Sequence, residues 1–308
     1  MSDMAVTALD LAGSKRRQRK EHAIRGAFLA AAVSSILISI AIVLSLLGNA
    51  ITFITNVELS TLWADGWYPR RGIYDIKTLL VGSLLTSGIA MLIAAPLGLG
   101  AAMFLSEYAS PRVRRVVKPV LEVLASIPSV VIGFFALTFI TPNIVQKISP
   151  SSNQFNLLAA GLGIGILSTP LVASVSEDAL RAVPGSLREA AYGLGSRKIT
   201  TTLRVVFPAA ISGIVAALIL AVSRAIGETM VVALATGGTG GALFNTNVFE
   251  PGQTLTAAMA ALASGSDQVK GAGQAYNSLF FLGLLLFVIT FALNVIGDAF
   301  VRRVRNRY

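Results

Sequence analysis

"TLLVGSLLTSGIAMLIAAPLGLGAAMFLS", residues 78–106, runs for 29 residues without a charge between Lys77 and Glu107. A helix rises about 1.5 Å per residue and needs about 20 residues to cross a bilayer's hydrocarbon, so this stretch is long enough to span. Two others match it: Lys147 to Glu177 encloses 29 uncharged residues and Lys270 to Asp298 encloses 27. Hydrophobic residues make up 54% of the 308, charged residues only 13%, and mean hydropathy is +0.73. Soluble domains carry about 25% charge, so composition and run length place the chain among membrane proteins.

Working outward from that run, six spans are expected at 27–50, 78–105, 120–142, 155–177, 205–236 and 277–299. The first exceeds a signal-peptide core and lacks a small-residue cleavage site behind it, so it reads as retained. None alternates in the manner of a β-barrel strand, so the spans are helical. The expected fold is all-α, a polytopic membrane protein with six transmembrane helices. A basic tail occupies 1–25 and the membrane domain 26–300, with a cytoplasmic loop at 178–204 and an external loop at 237–276; a second basic tail occupies 301–308.

Positive charge sets the orientation. Lys15, Arg16, Arg17, Arg19, Lys20 and Arg25 precede the first span, and Arg112, Arg114, Arg115 and Lys118 follow the second. Arg181, Arg188, Arg197, Lys198 and Arg204 lie between the fourth and fifth, and Arg302, Arg303, Arg305 and Arg307 follow the sixth. These nineteen of 25 basic residues share one side, whereas Arg70, Arg71, Lys77, Lys147 and Lys270 fall on the other. Both termini are therefore expected in the cytoplasm of a bacterial cell, the protein lying in its inner membrane.

The net charge of +10 is thus a topology signal drawn to anionic lipid headgroups, and no aromatic–basic interleaving suggests nucleic acid. Cysteine is absent and His22 is the single histidine, which excludes thiol, zinc and histidine-based catalysis. No G-x-x-x-x-G-K-[ST] occurs, so the chain has no P-loop to hold ATP. No catalytic residue, metal or cofactor is expected. On the external side, Trp63, Trp67 and Tyr68 form either an interfacial belt or a docking surface, and the 237–276 loop either re-enters the membrane or meets an external partner.

The cytoplasmic stretch "PGSLREAAYGLGSRKITTTLRVVFPAA", 184–210, carries a second signal. Ser186 and Glu189 have capping-box spacing, which predicts a short helix from Leu187, ended by Gly193 and Gly195. Such a helix is either a partner's handle or an amphipathic linker. Glu189-Ala190-Ala191, then Gly195, then Val205-Val206-Phe207-Pro208 resembles the E-A-A-x3-G-x9-I-x-L-P motif of ATP-binding-cassette importer permeases, with Val205 and Phe207 in place of isoleucine and leucine. The resemblance implies a type I importer-like fold in which Glu189, Ala190, Ala191 and Gly195 dock a separate ATPase.

Two further stretches, "PLGLGAAMFLSEYASPRVRRVVKPVLEVLASIPSVVIGFFAL" at 96–137 and "SRAIGETM" at 223–230, resemble the phosphate-specific permeases of that class, permease C more than permease A. The likeness covers roughly residues 78–240. It implies a homologous permease as heterodimer partner, cytoplasmic ATP-binding subunits, an extracytoplasmic phosphate-binding protein and phosphate as substrate. Physically, Ser110-Pro111 suits the start of a helix, and Pro96, Pro128, Pro142 and Pro170 kink or end spans. "GLGAA" at 98–102 and "GLGIG" at 161–165 allow helices to approach closely.

Arg224 and Glu228 interrupt the fifth predicted span near its middle. A charge there costs about 2.5–3.5 kcal/mol on insertion scales. At i,i+4 on one helix the two neutralise each other structurally, but such pairs return only about 0.2–0.5 kcal/mol. Alternatively Arg224 faces an anion pathway, its guanidinium matching phosphate geometry, with Glu228 holding it when substrate is absent. A proton relay through Glu228 is the third reading. The expected function is an ATP-driven phosphate permease subunit; the alternatives are a sulfate or molybdate permease of the same layout, or a proton-coupled carrier.

Overall fold

The computed structural model describes residues 15–237, 241–265 and 274–305, with side chains from 18 to 303 within those ranges. Ten α-helices of six or more residues occur among the described residues: α1 Lys15–Asn56, α2 Ile76–Met103, α3 Pro111–Ala125, α4 Ser129–Phe135, α5 Leu157–Arg181, α6 Gly185–Gly193, α7 Phe207–Ile226, α8 Met230–Ala235, α9 Leu255–Ala263 and α10 Ala275–Arg305. Wider π-helical turns prolong α2 through Phe104–Tyr108 and α4 through Ala136–Val145, and another, Thr202–Val206, leads into α7. Six helical segments are long and apolar enough to cross a membrane: Gln18–Asn56, Ile76–Tyr108, Ser129–Ile148, Leu157–Arg181, Lys198–Ile226 and Ala275–Arg303. The basic residues Lys15, Arg16, Arg17, Arg305 and Arg307 lie outside the described side chains, as does Lys270.

The chain divides into two compact units within α1, after Gly48. In the first, α1 is exposed throughout 18–42, with a largely apolar surface from Gly26 onward. The second begins at Asn49 and contains the other helices.

Two span boundaries differ from the sequence reading. The third span begins at Ser129 rather than near 120, because Ser126–Pro128 breaks the chain before α4. Residues 111–125 form α3 instead, started as expected by Ser110, whose hydroxyl accepts from Val113 N, and by Pro111. The fifth span was expected to run to 236, but α7 stops at Ile226 and α8 starts only at Met230. Gly227 is the weakest helix former in that stretch, and the hydrogen-bond ladder ends there.

Helices α2 and α5 form the most extensive helix pairing among the described residues. The two glycine-rich stretches explain it. A Cβ on Gly98 would lie 2.6 Å from Val172 Cβ, and one on Gly161 would lie 2.7 Å from Ile89 Cβ. Backbones therefore approach where larger residues would hold them apart. Pro96 and Pro170 sit inside these helices.

Between α1 and α2, Trp67–Tyr68 pairs antiparallel with Ile73–Tyr74, and Trp67 also bridges Ala242 by two backbone hydrogen bonds of 2.8 and 3.0 Å. Trp67 is fully buried with Phe53, Tyr74, Leu255 and Leu282, so it belongs to the core; Trp63 remains exposed. The described part of the loop between α8 and α10 folds back into the bundle. Helix α9 packs against α2, α8 and α10 with Leu255, Ala258 and Leu262 wholly buried. The Gln253 carbonyl lies where a Gly82 side chain would stand, and Ser83 Oγ accepts from Leu255 N at 3.0 Å.

Replacing Gly161 with valine is expected to destabilise the bundle by about 1–3 kcal/mol through overpacking. Thermal unfolding of the purified protein in detergent checks this; an unchanged midpoint would refute the close approach of α2 and α5.

Candidate functional site

The sequence places Arg224 and Glu228 on one helix face; the structure does not. Arg224 lies in the last turn of α7, and Glu228 lies in the break. No ion pair joins them among the described residues. Glu228 instead turns its carboxylate onto the start of α8, where Oε1 accepts from Met230 N at 3.1 Å and Val231 N at 3.4 Å. Those amide groups lack partners within their own helix, and a negative charge suits that end. Thr256 of α9 donates to the Glu228 carbonyl at 2.7 Å, which ties the folded-back loop to the break.

Arg224 is exposed and lines a cleft of about 210 Å³ with Lys118, Glu122, Pro170 and Glu177. Here α3, α5 and α7 meet. The deepest group is Glu177, fully buried on α5. Arg114 Nε stands 3.0 Å from Glu177 Oε1, Lys118 Nζ 3.3 Å from Oε2 and Arg181 Nη1 3.9 Å from Oε1. The Arg114 contact is one of charge at short range, because its geometry misses a hydrogen-bond axis. Lys118 also donates to Asp178 at 3.2 Å. Burial opposes charge on Lys118, but the Asp178 hydrogen bond and the Glu177 carboxylate outweigh it and hold the ammonium above the ordinary lysine range.

A second buried carboxylate closes α2. Glu107 pairs with Arg188 through Nη2–Oε1 at 2.7 Å and Nε–Oε2 at 3.2 Å. The same guanidinium donates to the carbonyls of Val183 and Leu180, at 2.7 and 2.8 Å. Arg188 belongs to α6, the helix predicted between the fourth and fifth spans. That helix starts at Gly185 after Pro184, and no capping bond from Ser186 forms, so the capping-box expectation fails. Proline already fixes the entry, two residues earlier than predicted. Its end matches the prediction closely. Gly195 adopts φ +77°, with Gly195 N donating to Tyr192 O at 2.9 Å and Ser196 N to Ala191 O at 3.0 Å. This is a Schellman closure, and only glycine takes that φ without strain.

Of the residues predicted to dock a partner, Glu189, Ala190 and Gly195 are exposed and Ala191 is half-buried. Around them Leu187, Tyr192 and Ile199 are exposed, and Leu194 is 90% exposed. The structure thus groups Glu189, Ala190, Ala191 and Gly195 on one free helix and its cap, and sets Arg224 apart in the cleft. Sequence reading missed Glu107 and Glu177. Both close the 29-residue uncharged runs, a signal that counted only as a span boundary, and Arg114, Lys118 and Arg188 counted only as topology charges.

Fold and site define the membrane component of an importer. The chain belongs to the binding-protein-dependent transport system inner membrane component family, whose pattern matches residues 94–306, and it is a multi-pass membrane protein. Among its relatives is the phosphate transport system permease protein PstC of Mesorhizobium japonicum, 32% identical over 90% of this chain and 89% of that one. PstC 1 of Mycobacterium tuberculosis is 34% identical over 83% of each, and the probable ABC transporter permease YqgH of Bacillus subtilis is 32% identical over 90% of each. Among solved structures, the chain superposes with a TM-score of 0.65 at 16% identity on a chain of the bacterial alginate ABC transporter in complex with an alginate pentasaccharide-bound periplasmic protein, covering 94% of this chain and 97% of that one. A chain of the inward-facing MetNI methionine ABC transporter gives 0.54 at 20% identity, covering 74% and 93%.

Replacing Glu177 with alanine is expected to cost about 3–5 kcal/mol, because it leaves buried cations unpaired. Arg224→Gln, at an exposed side chain, is expected to stay within about 0.5 kcal/mol of the parent. Thermal denaturation of the two variants beside the parent separates a structural cluster from a group free for other work; equal losses would refute the distinction.

Proposed function

We propose that this chain is the permease C-type subunit of an ATP-driven phosphate importer. It pairs with a homologous permease, with ATP-binding subunits in the cytoplasm and with a phosphate-binding protein outside. The observation that carries this reading is α6: a short helix, closed by Gly195 and bearing the E-A-A signature, that leaves Leu187 and Tyr192 exposed on the helix and Leu194 and Ile199 exposed just beyond it. An apolar helix held at the ends of spans is a handle for another subunit. Relatives named as phosphate permeases along nearly the full chain support the substrate.

Orientation follows the charge. The ends of the spans that flank α3 and α6 carry Arg112, Arg114, Arg115, Arg181, Arg188, Arg197 and Arg204, so this face is cytoplasmic and the Trp67 hairpin is external. Within the membrane domain, Arg224 is the group that meets the anion. It is exposed in a cleft, permanently charged and, among the described residues, has no ion-pair partner to displace. Glu228, bound to the start of α8, sets the geometry of the break below Arg224 rather than acting as its stand-in partner.

Vesicles holding the full complex test the reading. ATP-dependent phosphate uptake is expected to collapse in Arg224→Gln while ATPase association persists; normal uptake would remove Arg224 from the pathway. Uptake of sulfate or molybdate in place of phosphate would keep the permease and reject the substrate. Separately, Gly195→Val forces a β-branched residue to positive φ, at about 1–3 kcal/mol of local strain. Co-purification of the ATPase is expected to fall while membrane insertion is unchanged; intact association and transport would refute docking at α6.

A further inference from the structure

The cytoplasmic ends of α2 and α5 are laced across each other by two arginines. Arg188 follows α5, takes the Leu180 and Val183 carbonyls at the end of that helix, and reaches across to Glu107 at the end of α2. Arg114 follows α2, donates to the Leu105 carbonyl at its end, and reaches across to Glu177 on α5. The two grips are reciprocal. Each arginine covers carbonyls at the end of the span before it and pairs with a carboxylate near the end of the other span.

Both carboxylates are sequestered, with side-chain exposures of 5% for Glu107 and 0% for Glu177. The forked Arg188 contact is the geometry in which a guanidinium fixes direction as well as charge. A buried carboxylate parted from its cation is strongly unfavourable, so neither grip opens readily. The ends of α2 and α5, together with α3 and α6, are therefore bound to move as one body. Helix α6 is the exposed handle at one end of that body. Helix α3, at the other, contributes Lys118 to the cleft that Arg224 lines.

We propose that this crossed brace carries displacement of α6 to α3 and so to the mouth of the Arg224 cleft, with Arg188 and Arg114 as positioning residues for transport. The inference rests on the reading of α6 as the ATPase contact. It adds the route by which that contact reaches the pathway.

The test compares the assembled wild-type complex in vesicles with the double variant Arg188→Gln and Glu107→Gln, which leaves no unpaired charge at that grip. Phosphate imported per ATP hydrolysed is the readout, alongside ATPase association. The double variant is expected to keep its ATPase subunits and its hydrolysis, while import per ATP falls by about tenfold, within the range of ordinary coupling energies. Arg188→Lys, a point charge unable to serve all four acceptors, is expected to fall between the two. An unchanged ratio in the double variant would overturn the brace as a linkage. So would a parallel loss of hydrolysis and uptake, or failure to assemble, since either marks the four groups as structural support. A wild-type complex that hydrolyses ATP without moving phosphate would reject the phosphate reading, and the brace as its coupling element with it.

Discussion

The close approach of α2 and α5 is the constraint from which the rest of the second unit follows. Gly98 and Gly161 remove the side chains that would separate the two backbones, and Val172 and Ile89 fill the space they leave. Hydrocarbon offers a helix pair no hydrophobic reward for meeting, so contact area and backbone proximity must supply the attraction. Once the two helices lie together, their ends at Glu107 and Glu177 are near enough for each to receive the arginine that follows the other. The opposite ends, likewise, form a floor on which the folded-back loop rests at Gly82 and Ser83.

Charge in this molecule is sorted by depth and by partner. Glu107 and Glu177 sit at the boundary of the apolar runs, where burial is offset by guanidinium and ammonium groups drawn from α6 and α3. Glu228 spends its charge on the open amide groups of α8. Arg224 stands apart from both arrangements, at the end of a helix and at the edge of a cleft. An isolated permanent cation beside water is suited to transient contact with an anion, because release requires no return of a buried partner. The broken fifth span has a related consequence: the transmembrane helix ends at Ile226, the short α8 follows it, and backbone groups at the break are taken up by Glu228 and Thr256.

Much of the plan was legible in the residues. Six spans, the short helix before Gly195 and the Ser110-Pro111 start of α3 follow from hydropathy, glycine and capping chemistry, which are local properties. The small-residue stretches at 98–102 and 161–165 were legible as contact surfaces, though not as each other's partners. Reading failed where local signals competed. Apolar runs on both sides of Arg224 and Glu228 concealed the break at Gly227, and Ser126–Pro128 moved the third span past its predicted start. The Ser186–Glu189 spacing predicted a cap that Pro184 made unnecessary. Trp67 shows the same limit, since an aromatic beside a span reads as a belt until its neighbours are known.

The sequence by itself determined that the chain is a helical membrane protein, that six segments are able to cross, and that a short helix stands between the fourth and fifth of them. Each rests on transfer free energy or on turn chemistry within a few residues, so no distant partner is needed to read it. Only the tertiary structure decided which charges are neutralised and which are free. Glu177 and Arg114 are 63 positions apart, Glu107 and Arg188 are 81 apart, and Arg224 and Glu228 are only four apart yet do not pair. Electrostatic partnership depends on distance through space, and in this chain that distance was set by two glycine-faced helices rather than by spacing along the sequence.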